Sequence, residues 1–128
     1  MNLVFCPLYD NGSSLCCYLP ENKLDGFLGN DHQRFMALVD SKSTSRIRIN
    51  GNIKKEPRHT EVLHYIYKHY YDHIYEFVNN FISILDSTKI SDLVNYHGNK
   101  IISDKRKALI IIYLNKKREI LINEFKIN

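Results

Sequence analysis

The chain has 128 residues, with 44% hydrophobic and 25% charged side chains, a net charge of +4 and a pI near 8.9. That length supports one compact core burying roughly two-thirds of the unfolded surface, and the longest apolar run, residues 108–114, is too short to cross a bilayer. The basic excess says little about nucleic acid, because Lys, Asn, Ile and Tyr are all abundant, as in an AT-rich coding sequence; neither a direct nucleic-acid contact nor a membrane is expected.

The first stretch, Leu3-Val4-Phe5-Cys6, is bulky and β-branched and is stopped by Pro7, which reads as a short strand entering a loop. Asn11-Gly12 then supplies positions that tolerate positive φ, so Asp10 is presented at a strand exit on a sharp turn. The opening residues carry no cationic leader followed by a small-residue cleavage site. Cys6, Cys16 and Cys17 are odd in number and two are adjacent, a poor geometry for bridging. Reduced thiols and a cytoplasmic location are the expectation.

Residues 18–58 form an irregular excursion, broken by Gly26, Gly29, Asn50-Gly51 and the polar run Ser41-Lys42-Ser43-Thr44-Ser45. One short helix is expected near His32 to Val39, and Ile47, Ile49 and Ile53 around Asn50-Gly51 suggest a small hairpin. From residue 59 the pattern changes to helical. Thr60 is a candidate N-cap, and Val62, Ile66, His69 or Tyr70, Ile74, Phe77 or Val78, Phe81 and Leu85 hold one face for about seven turns, with a break expected near Tyr70-Tyr71. Ser87-Thr88 opens a shorter helix that ends around Gly98, a residue suited to a left-handed stop. Ser103-Asp104 caps a last helix whose inward face is marked by Leu109, Ile112, Tyr113, Lys116, Ile120 and Phe125, leaving Lys116-Lys117-Arg118 as its wet side. The fold class expected is mainly α: a single domain in which 59–128 is a helical bundle, preceded by the excursion and by a short strand or hairpin with its turn in 1–17.

Four groups invite a chemical reading. Asp10 at a strand exit has the local form of a magnesium-binding aspartate, a carboxylate delivered to a metal that bridges nucleotide phosphates; its simpler role is to cap its own turn. His69 and His73, four apart on a helix, have the spacing of two metal ligands, with His64, Asp72 or Glu76 as a third, but helical histidines among tyrosines are more often packing or surface residues. Ser13 and Ser14 have no base at a motif spacing and are read as turn residues. Arg46, Arg48, Lys54, Lys55 and Arg58, followed by Tyr65, Tyr67, Tyr70 and Tyr71, form a phosphate-contacting strip with stacking rings on one reading and a solvated loop before an amphipathic helix on the preferred one.

The stretch "PLYDNGSSL" resembles the metal-binding motif of HipA-like serine/threonine kinases, and "SRIRINGNIKKEPRHTEVLHYI", residues 45–66, is similar to the segment that follows it there. The helical tail matches the all-α end of their C-lobe in order and length. The resemblance implies that Asp10 is the magnesium ligand and that Asn11 and Gly12 shape the nucleotide-side turn. It also implies that the intact kinase transfers the γ-phosphoryl group of ATP to a protein hydroxyl, often as the toxin of a toxin-antitoxin pair. The chain departs from the family in one respect. Nine residues precede Asp10, and they hold no phosphate-covering loop, lysine, catalytic-loop aspartate or second-metal asparagine of the kind such transfer requires. The expectation is therefore a C-terminal portion or subunit, without catalytic residues of its own and inactive alone. Mg2+ and ATP would bind only once an N-lobe-bearing chain or upstream segment completes the site, with an antitoxin as a further partner. The alternative is a small α-rich interaction module that binds a protein or nucleic acid.

Overall fold

A computed structural model describes residues 15–29, 31–96, 98 and 100–127. Within them the chain is mainly helical and contains no strand. A 3-10 turn, Glu21–Lys23, leads into α1 (Leu24–Leu28); α2 (His32–Met36) runs into a π turn, Ala37–Ser41; then come α3 (His59–Ile84), α4 (Ser87–Asn95) and α5 (Asp104–Phe125). The helical bundle expected from the periodicity of the second half is present. The strand expected at residues 3–6 lies outside the described residues.

α5 is the axis of the bundle, packed against α3, α4 and α1. Contact on several sides explains why Lys107, Leu109, Ile110 and Phe125 are all buried although they do not share one stripe. Phe125, 1% exposed, closes one core with Val78 and Ile82, and Leu63, Ile66, Ile74, Leu121 and Ile122 pack around it. The rings of Tyr67 and Tyr71 lie 5.6 and 6.3 Å from that of Phe125. Full burial of each such side chain is worth roughly 1.5–3 kcal/mol, so this cluster is a large contributor to the stability of the bundle.

The helix ends follow elementary capping chemistry. Ser103 accepts from the Arg106 amide at 3.2 Å and Asp86 from the Lys89 amide at 2.7 Å, each satisfying an orphan donor of a first turn. α3 starts one residue before the expected cap. Arg58 is its N-cap, Glu61 reaches back to the Arg58 amide at 2.7 Å, and the Thr60 hydroxyl instead donates to Asp40 at 2.7 Å. The expected break in α3 is at Tyr70, where φ −135° and ψ 17° leave the helical region. α4 ends at Asn95, ahead of Gly98, which is not left-handed; that conformation appears at Lys126, the C-cap of α5, where the Ile127 amide closes onto Ile122 at 3.1 Å.

In the excursion, Asn50 and Gly51 do turn with positive φ, 52° and 69°, and the Asn52 amide closes on the Ile49 carbonyl at 3.1 Å. No ladder follows, however, and Ile47 and Ile53 stay exposed. A lone two-stranded hairpin with no layer to pack on gains too little to persist. Among the described residues a single bridge, Thr44 to Arg58, ties the two ends of the loop instead.

Candidate functional site

Asp10, Asn11 and Gly12, with Cys6, Ser13 and Ser14, lie outside the described residues. What is described is the segment that leaves them. Leu15 and Cys16 take left-handed backbone, φ 56° and 65°, a conformation that costs a side-chain-bearing residue about 1–2 kcal/mol. The Leu19 amide closes the turn on the Cys16 carbonyl at 3.1 Å. Arg106, from the first turns of α5, holds it there: one guanidinium nitrogen donates to the Cys16 carbonyl at 2.8 Å and another to the Leu19 carbonyl at 2.6 Å. The same guanidinium pairs with Glu21 at 2.9 Å, with its own side chain only 18% exposed. The Ser103 hydroxyl also bonds Glu21, and Lys105 reaches Asp25 at 2.8 Å. The hydrogen bonds from Ser103 and Arg106 hold the Glu21 carboxyl below its ordinary pKa. Arginine suits this place because its planar fork serves several acceptors at once.

A second polar cluster caps the π turn. The carbonyls of Ala37, Leu38 and Val39 accept from the Lys42 amide at 2.9 Å, the Ser43 hydroxyl at 2.8 Å and the Lys117 ammonium at 2.5 Å. Arg118 closes the other end of the bundle, donating to Leu85 and Ile82 carbonyls at 2.9 and 3.0 Å at the end of α3. Lys117 and Arg118 are therefore not the wet face of α5. Each is committed to a carbonyl on another element, and only Lys116, bonded to Glu119 at 2.8 Å, makes a local surface pair. No pattern in the sequence links positions 33 to 90 residues apart, so the roles of Arg106, Lys117 and Arg118 are set by the fold alone.

The basic loop neutralises itself. Arg48 reaches Glu56 at 3.3 Å, Arg46 the same carboxylate at 3.8 Å, Lys55 Glu61 at 2.7 Å, and Arg58 Asp40 at 3.0 Å. Hydrogen bonds from Arg48 and Thr44 hold Glu56 below its ordinary pKa, as those from Lys55 and the Arg58 amide do Glu61. Four of the five cations that compose the strip thus have carboxylate partners, which agrees with the solvated-loop reading. His64 binds Glu124 at 2.7 Å, His69 lies against Tyr65 with ring centroids 4.3 Å apart, and among the described residues no three metal-ligating side chains come together.

Cys16 is half-buried and Cys17 exposed, neither in a disulfide. Burial pushes the Cys16 thiol up, partly offset by the Arg106 charge. Among the described residues no helix is long and apolar enough to cross a membrane. No family model, curated protein or solved structure matches the chain.

Proposed function

We propose that this chain is the C-terminal part of a HipA-like serine/threonine kinase, with Asp10 as its magnesium ligand and Asn11-Gly12 as the turn that presents it. The observation that supports the reading is the Asp-Asn-Gly-Ser-Ser sequence that runs directly into a left-handed turn at Leu15 and Cys16, which Arg106 fastens to α5. A metal-binding carboxylate needs a backbone held within fractions of an ångström, and a bolted turn a few residues away is a physical means to that end. On this reading the helical bundle that follows is the scaffold. The phosphate-covering loop, the N-lobe lysine and the catalytic aspartate would come from a partner chain or an upstream segment, and a DNA-binding antitoxin would be a further partner in the cytoplasm.

Calorimetry tests this: magnesium-dependent ATP binding by the chain alone and mixed with the product encoded immediately upstream, each with wild-type and Asp10→Ala protein. The proposal expects binding in the mixture only, lost with Asp10→Ala. Absence of binding in every sample overturns it. A second reading, a non-enzymatic module that docks another protein, is favoured by Phe81, Ile84 and Leu93, which α3 and α4 leave 44%, 72% and 58% exposed. On that reading Asp10→Ala is silent and polar substitution of these three residues abolishes association.

A further inference from the structure

Lys117 is a half-buried cation without a carboxylate partner among the described residues. Its ammonium donates to the Val39 carbonyl at 2.5 Å and stands 3.3 Å from His59 Nδ1 and 5.5 Å from the centre of the Tyr113 ring. The neighbouring carboxylate, Asp40, is already bonded by Arg58 at 3.0 Å and Thr60 at 2.7 Å. Burial holds the lysine below its ordinary pKa, against the opposing pull of Asp40. Desolvated charges in proteins are as a rule paired. The described groups in direct contact with Lys117 are neutral, while the Asp40 charge acts on it from beyond ion-pair distance: an ammonium has no acceptor, so the contact with His59 makes Nδ1 the acceptor and leaves the imidazole proton on Nε2. Burial and then Lys117 likewise hold His59 below its ordinary value, with a backbone hydrogen bond to Thr44 opposing.

Beside this cluster runs a groove of about 540 Å³, within the range of small-ligand sites. Leu15, Leu19 and Leu38 form its apolar walls, Lys42, His59 and Tyr113 its polar side, and among the described residues no carboxylate lines it. The Ser43 hydroxyl spends its proton on the Leu38 carbonyl and lies 3.5 Å from the Tyr113 hydroxyl, a contact at the long limit, so the tyrosine proton is available to a better acceptor.

We propose that this groove binds a phosphate monoester, its dianion against the Tyr113 hydroxyl and Lys42 with the Lys117 charge behind them, and its ester substituent against the leucines. A dianion matches the two ammonium groups, and a tetrahedral phosphate offers acceptors in several directions at once. The inference is independent of the metal reading.

The test is a titration of the isotope-labelled full chain followed by NMR, with phenyl phosphate, inorganic phosphate and phenol as probes at constant ionic strength. Phenyl phosphate is expected to give saturable shifts at Ser43, Thr44, His59 and Tyr113, inorganic phosphate to bind about tenfold more weakly for want of the apolar contact, and phenol to give none. Lys117→Met and Tyr113→Phe, each checked for a native-like spectrum, should weaken phenyl phosphate by about tenfold or more, since the first removes a positive charge behind the site and the second a hydroxyl donor that borders it. Scattered, unsaturated shifts, equal affinity for inorganic phosphate, or unchanged binding in both variants overturns the proposal.

Discussion

The two halves of the molecule hold together by different means. Around α5, the α3 and α4 helices are fixed by apolar burial at Phe125, Val78, Ile82, Ile90 and Leu109. The excursion from Leu15 to Arg58 contributes two fully buried apolar side chains, Leu24 and Val39, and is fastened at its edges by polar locks: Arg106 on the Cys16 and Leu19 carbonyls, Lys117 on Val39, Asp40 on Arg58 and Thr60. Apolar burial is non-directional and grows with area, whereas a polar lock is directional and is lost with a single donor. The bundle therefore supplies stability, and the locked excursion supplies position, which is what a chemical site requires.

Substitutions that strike one half and spare the other sharpen this contrast. The largest effect is expected from Phe125→Ala, which empties the centre of the α3 and α5 core and should cost about 3–5 kcal/mol in denaturant unfolding, with the whole chain losing structure together. Arg106→Gln comes next, at about 2–3 kcal/mol, because carbonyls of Cys16 and Leu19 and the Glu21 carboxylate lose a charged donor. Here the excursion should loosen while the helical circular dichroism is retained. Arg118→Met uncaps the last carbonyls of α3 and should cost about 1–2 kcal/mol, felt at the α3–α4 corner.

Acid titration separates the halves without mutation. Because His59 is held below its ordinary value of 6.5, the unfolded chain takes up that proton more readily. The stability it contributes is complete above about pH 6.5 and falls as the pH drops toward its folded value. Glu21, Glu56 and Glu61 are held below 4.5, so their contribution is complete above that pH and fades below it. Two successive losses are expected on acidification, at the excursion and at the first turn of α3 that closes it, with His59→Gln removing the first. The smallest effect belongs to Arg46→Ala, within about 0.5 kcal/mol by thermal unfolding, since Arg46 is 95% exposed and 3.8 Å from Glu56.

Local signals in the sequence located the bundle well. The period of α3, its break near Tyr70, and the Ser103 cap of α5 all follow from residues within one or two turns of one another. The Asn50-Gly51 turn was equally legible, but its flanking isoleucines formed no ladder because nothing packs on them. What composition and spacing could not convey were the long-range locks. Lys117 and Arg118 look like any charged surface run until α5 is placed at the centre of the fold, where most of its faces are occupied. Arg106 is similar: its acceptors are backbone carbonyls, which leave no mark in the residue types at 16 and 19. Of the candidate site, the sequence showed the Asp10 motif; the groove bordered by Lys42, His59 and Tyr113 became visible only when residues 15–19, 38–44, 59 and 113 met.

Whether Arg106, rather than core packing, holds the segment following Asp10 in place is read by native-state amide exchange on wild-type and Arg106→Gln protein. The amides of Leu19 and Lys23, which close on Cys16 and Pro20, should lose protection in the variant while those in the middle of α3 and α5 keep theirs. Unchanged protection at Leu19 and Lys23, or a uniform loss across all the helices, would contradict it.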